Sequence, residues 1–241
     1  MNASPLHSFA GLEPGTVLDA LDALGLHGDG RLLALNSYEN RVYQVGMEEG
    51  PPLVVKFYRP QRWTDAAILE EHAFVRELKD AEVPVVPALE IAGRTLHQHE
   101  GYRFAVFPRQ GGRTPELDAP GTREWIGRLM GRIHAIGATR PFTQRPAIDA
   151  DSFGEMPRLW LISHEFVPAE LRVSWESVSA LALDGVRRCY DRAGDVRLLR
   201  LHGDCHPGNV LWTPDQGPHF VDLDDARTGP AVQDLWMLLS G

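Results

Sequence analysis

Apolar and polar positions alternate through much of the first hundred residues and then switch to a helical period. Over 14–25, Val17, Leu18, Leu21 and Leu24 share one face between Pro14 and Gly25, which predicts a short helix with a proline start and a glycine stop. Strand-like runs follow at 31–35, 41–45 and 53–58. The second alternates Val42 and Gln44 with Tyr43 and Val45, and the third is β-branched and aromatic. Thr64 suits the N-cap of a helix reaching Lys79, with Ile68, Val75 and Leu78 as its apolar stripe. Pro84 and Pro87 keep 83–87 extended, and 89–91, 95–97 and 102–107 read as further strands.

The run from Pro108 to Arg113 marks a change of character. Beyond it Trp125, Ile126, Leu129, Met130 and Ile133 predict a helix over 122–137, and a second long helix is expected over 168–192. Short strands are expected at 197–201, 210–213 and 219–221, with a last helix at 232–239. The reading is an α+β chain of two lobes, a β-rich lobe over 1–108 and a mainly helical lobe over 109–241. The second lobe reads as truncated, with Trp236, Leu238 and Leu239 expected to lie bare for want of covering helices.

Composition narrows the function. The 241 residues are 43% hydrophobic and 24% charged, ordinary for a globular chain. Lys and Arg number 24 against 33 Asp and Glu, a net charge of −9, which argues against a general nucleic-acid or anionic-membrane binder. Two cysteines, Cys189 and Cys205, fit a reducing compartment. Met1 to Ala10 has neither the basic nor the apolar segment of a leader, and no apolar run approaches the roughly 20 residues that span a bilayer. A cytoplasmic protein is expected.

The densest polar stretch is His202-Gly203-Asp204-Cys205-His206-Pro207-Gly208-Asn209, followed by Val221-Asp222. Asp204 and Asn209 stand five apart and Asp222 lies 18 beyond Asp204, between short apolar strands. Any one of the three could simply cap a turn. Together, at this spacing, they supply what phosphoryl transfer needs: a carboxylate for the acceptor's proton, then an amide and a second carboxylate as hard oxygen ligands for Mg²⁺ on a triphosphate. Zinc is the rival reading, from His202, Cys205, His206 and Asp222, but no second close Cys or His pair completes a tetrahedral set. Lys56 in Val54-Val55-Lys56-Phe57 stands where a kinase carries its phosphate-binding lysine. Glu71 is the expected carboxylate partner, since Val75 and Leu78 follow at helical spacing, with Glu70 and Glu77 as alternatives. The chain contains neither a G-x-x-x-x-G-K-[ST] loop nor a G-x-G-x-x-G after a strand. The Ser37 hydroxyl and the amides of the turn at 36–43 are the candidate phosphate cover.

These residues resemble the aminoglycoside-phosphotransferase-like kinases. Asn36-Ser37-Tyr38-Glu39-Asn40-Arg41-Val42-Tyr43, Val55-Lys56-Phe57-Tyr58-Arg59-Pro60, Asp222-Leu223-Asp224-Asp225-Ala226-Arg227 and Gln233-Asp234-Leu235-Trp236-Met237-Leu238-Leu239 are similar to a bacterial stress-response branch of that family. The resemblance implies a two-lobed, protein-kinase-like fold and an ATP- and Mg²⁺-dependent serine/threonine protein kinase. It implies Asp204 as catalytic base, Asn209 and Asp222 as Mg²⁺ ligands with Asp222 also in the active site, Ser37 at the ATP site, Lys56 on phosphate, and Ala105, Val106 and Phe107 as the adenine-contacting hinge. The expected partners are ATP and a protein substrate, with no nucleic acid and no membrane, for a monomer. Members of the family continue past the equivalent of Gly241 with helices that help form the acceptor pocket. Gly203 stands where protein kinases carry an arginine, so no activation-loop phosphate switch is expected. A small-molecule kinase acting on an aminoglycoside, choline or sugar alcohol, and a non-catalytic nucleotide-binding module, are the competing functions.

Overall fold

The computed structural model describes residues 9–240, so most of the N-terminal segment read for a leader lies outside the described residues. The chain forms two compact units, one of Met1–Leu129 with Gly208–Asp224 and one of Met130–Pro207 with Asp225–Gly241.

In the first unit, helix α1 (Pro14–Asp22) is followed by strands β1 (Gly28–Leu35), β2 (Arg41–Met47) and β3 (Leu53–Phe57), helix α2 (Asp65–Asp80), and strands β4 (His97–His99) and β5 (Tyr102–Pro108). The strands form one sheet in the order β1-β2-β3-β5-β4, antiparallel throughout, with β3 at its centre. Alternation decides what each face carries. Val45, Val55, Phe57, Phe104 and Val106 point to the α1 side and pack with Val17, Ala20 and Leu21, with Phe57 and Phe104 stacked at 5.3 Å between centroids. On the opposite face Ala105 packs with Tyr58, Ile68 and Ala88. Thr64 caps α2 by accepting from Ala67 N at 3.1 Å, a contact worth about 1 kcal/mol. The hairpin of β7 (Val210–Thr213) and β8 (Gly217–Phe220) completes this unit, Phe220 N donating to Pro84 O and Trp212 N to Arg113 O.

The second unit takes over α3 (Thr122–Gly137) at Met130 and continues with α4 (Met156–Ser163), α5 (Arg172–Ala193), the short pair β6 (Leu198–Arg200) and β9 (Thr228–Pro230), and α6 (Val232–Ser240).

Several expectations need correction. Residues 89–91 form no strand: Leu89 N bonds Val106 O, but the chain then turns back so that Ile91 and Arg94 bond each other. The next strand starts at His97, not Thr95. Residues 168–171 make turns, and α5 begins only at Arg172. The sequence reading passed over α4 and β9. Leu238 is buried, whereas Trp236 and Leu239 are exposed. Among the described residues no helix is long and apolar enough to cross a membrane.

Candidate active site

Because Val55 and Phe57 enter the core, Lys56 and Val54 must project from the other face of β3. The register sets Val42 opposite Lys56 and Phe107 opposite Val54. That face, with Glu71 and Val75 one turn apart on α2, walls a cavity of about 310 Å³. Ser37, Gln110, Asn209, Leu211 and Asp222 also line it. Val42, Val54, Val86, Leu211 and Leu223 give it apolar walls suited to a flat ring, while Ser37, Lys56, Asn209 and Asp222 supply groups suited to phosphates.

Lys56 is a central-strand lysine with a side chain only 9% exposed. Its Nζ lies 2.6 Å from Asp222 Oδ1 and 3.3 Å from Asp224 Oδ1, and 5.5 Å from the centroid of the Tyr58 ring. Burial pulls its pKa down, but the charges of Asp222, Asp224 and Glu71 outweigh that and hold the ammonium above the usual lysine range. Of the three candidate glutamates, Glu71 is the one that lines the cavity. Asp222 sits in the left-handed backbone region at φ 59°, and its neighbour Val221 donates to Asn209 O at 3.0 Å, tying the two loop segments together.

The second unit holds the His202-Gly203-Asp204 segment. Asp234, fully buried in the first turn of α6, accepts from His202 N at 3.1 Å and from Gly203 N at 2.9 Å. The same carboxylate lies 2.9 Å from His134 Nε2, which must donate because a carboxylate only accepts. His134 thus reaches the loop through Asp234. Gly203 has φ 87°, and a Cβ there would lie 2.0 Å from Asp225 O, so no other residue fits. Asp204 is half-buried, its Oδ2 lying 3.8 Å from His206 Nε2.

Lys56, Glu71, Ser37, Phe107, Asn209 and Asp222 therefore meet at one cavity. Ala105 and Val106 do not line it and pack instead in the two apolar clusters of the sheet. Asp204 belongs to the other unit. Sequence reasoning overlooked Gln110, Val86 and Leu211 as cavity walls, and Asn40, Arg62 and Asp224 as a group around Lys56. Flanking position was the available signal for Gln110, two residues past Pro108.

Among the described residues no group of three His, Cys, Asp or Glu is arranged to hold a metal. Cys205 is fully buried, and burial, with Asp234 and Asp204 adding to it, pushes its thiol pKa up. A thiol held protonated is a poor zinc ligand and a slow nucleophile. Neither cysteine is in a disulfide, and Cys189 is exposed. A thiol reagent is expected to label one cysteine per native chain and two after denaturation; labelling of both in the native state would overturn the burial argument. With the Cys205 thiol pKa raised in the fold, stability is expected to fall as pH rises past the ordinary thiol range, where the unfolded chain ionises first; urea midpoints measured against pH would check it.

Comparison with known proteins adds to this geometry. The model of the phosphotransferase enzyme family (APH) matches residues 31–241. Stress response kinase A of Salmonella choleraesuis is 47% identical over 234 residues, covering 97% of this chain and 70% of that protein, and stress response kinase A of Escherichia coli K12 is 46% identical with the same coverage. A Salmonella typhimurium relative, 47% identical over the same shares, is called serine/threonine protein kinase RdoA. Among solved structures, the amicoumacin kinase hAmiN in complex with AMP-PNP, Ca²⁺ and Ami superposes with a TM-score of 0.72 at 19% identity, covering 93% of this chain and 68% of that one. A microcompartment-associated aminopropanol kinase gives 0.69 at 21% identity, covering 92% and 74%. The likeness confirms the two-part α+β fold. With a family match over most of its length and relatives at nearly half identity that bear kinase names, the chain belongs to the phosphotransferase enzyme family and is an enzyme acting as a kinase.

Proposed function

We propose that the chain is an ATP- and Mg²⁺-dependent serine/threonine protein kinase of a bacterial stress response, working as a cytoplasmic monomer. Residues 1–108 serve as its nucleotide-binding lobe, and 109–241 carry the catalytic loop and metal ligands. The observation that carries the reading is the charged, nearly buried Lys56 in a cavity that also holds Asn209 and Asp222. The serine/threonine assignment is supported by the name of the Salmonella typhimurium relative.

In this reading Lys56 and the Ser37 turn bind phosphate oxygens, and the apolar walls with Phe107, at the end of the 105–107 strand, hold the adenine. Asn209 and Asp222 offer an amide oxygen and a carboxylate at one cavity wall, a donor set of the kind magnesium takes, and they would hold the ion. Bound magnesium neutralises charge on the triphosphate. Asp204 orients the acceptor hydroxyl and takes its proton as the bond from the γ-phosphorus to the ADP oxygen breaks.

The test is transfer from radiolabelled ATP to a generic protein acceptor, run beside an aminoglycoside, choline and sugar-alcohol panel. Label is expected on protein Ser or Thr. Label on a small molecule alone would replace the protein-kinase reading, and ATP binding without any transfer would leave a nucleotide-binding module.

A further inference from the structure

Around Lys56 lies a group of residues to which the proposed chemistry gives no part. Asp224 is nearly fully buried, and its two carboxylate oxygens serve different neighbours. Oδ1 lies 3.3 Å from Lys56 Nζ. Oδ2 accepts from Arg62 Nη1 at 2.5 Å and from Asn40 Nδ2 at 3.2 Å. Asn40 also accepts from Arg59 N at 3.0 Å through its side-chain oxygen, and its own amide donates to Ser37 Oγ at 3.3 Å. One buried carboxylate thus ties the lysine of β3 to the turn that carries Ser37, across 184 residues of chain between Asn40 and Asp224.

The charges explain why this residue must be an acid. Lys56 stands between Asp222 and Asp224, and Asp222 is the more exposed of the two, 47% against 5%. A carboxylate half in solvent changes partner readily, whereas a buried one is committed to its neighbours. Arg62 balances the buried charge from the far oxygen, so Asp224 can hold Lys56 without becoming an uncompensated anion. With the Asp224 charge removed, the ammonium keeps Asp222 and the Glu71 charge but loses its buried, committed partner, and the Asn40 amide loses its charged acceptor.

We infer that Asp224, braced by Arg62 and Asn40, is a positioning residue that sets Lys56 and the Ser37 turn in register to receive the phosphates of the nucleotide. The inference rests on the nucleotide-site reading above and adds to it a residue that need not touch the substrate.

The test compares ATP with adenosine, which fills the cavity without phosphates. Titration calorimetry on the full chain measures both ligands with wild type, Asp224→Asn and Asn40→Ala. Asp224→Asn keeps the shape and an acceptor oxygen and removes the charge. It is expected to weaken ATP binding about tenfold, the size of one charge-assisted contact, and to leave adenosine affinity within about twofold. Asn40→Ala severs the turn but leaves Lys56 both carboxylates, and a smaller loss confined to ATP is expected. In transfer assays the KM for ATP rises with the loss of affinity, whereas a merely structural role lowers kcat through fewer folded molecules and leaves KM alone. Equal losses for ATP and adenosine, or no loss for either in both variants, would overturn the inference. If Asp224→Asn does not fold, Asn40→Ala alone decides. Wild type that binds neither ligand would instead refute the nucleotide site itself.

Discussion

An Asp204→Ala variant is expected to transfer phosphate about a thousandfold more slowly than wild type while binding ATP with unchanged affinity. The backbone that presents Asp204 is fixed without its side chain: Asp234 holds the two preceding amides, and Gly203 sets the turn. The Asp204 side chain is more than a third exposed, so truncating it opens no core cavity. In the proposed reaction the substitution thus removes the proton acceptor while the backbone of the loop keeps its supports. Single-turnover transfer alongside ATP titration checks it. A loss below tenfold would remove Asp204 from the role of base, and a matching loss of ATP binding would make it a nucleotide ligand.

The second large effect lies at Asp234. Alanine there strands the His202 and Gly203 amides and the His134 ring nitrogen inside the second unit, all within 3.1 Å of the carboxylate they lose. Removing one partner of a buried charged cluster costs about 3–5 kcal/mol. Asp234→Ala is thus expected to lower the midpoint of urea unfolding sharply, with transfer activity lost at temperatures where wild type works. Asp234→Asn keeps one acceptor oxygen and should fall between them. An alanine variant destabilised by less than about 1 kcal/mol would show that the loop is held by other contacts.

What the sequence made legible follows from range. Lys56 was readable because the Val54-Val55-Lys56-Phe57 motif lies within one strand, and Glu71 because a helical period places Val75 and Leu78 relative to it. Thr64 and the bounds of α3 were readable for the same reason. Asp224 was not: its partners Arg62 and Asn40 are 162 and 184 residues away, and no local pattern marks an acid that will be buried. Residues 89–91 have strand composition, but the turn at Ala92-Gly93 allows them only one sheet bond, to Val106. The pairing partner of β9 lies some thirty residues away, and three residues containing Gly229 and Pro230 carry no strand signal. The hinge expectation named Ala105, Val106 and Phe107 from family likeness; the Ala105 and Val106 side chains pack in the core clusters, while Phe107 lines the cavity beside Gln110.

The left-handed backbone at Asp222 restricts what can replace it. Asparagine and glycine enter that region at small cost, while most other side chains lose about 1–2 kcal/mol there. Asparagine also matches the carboxylate in size, so the charge can be erased while the loop keeps its course. For the magnesium role proposed above, Asp222→Asn is accordingly the gentlest test, whereas a bulky or β-branched replacement would report on loop distortion rather than on chemistry.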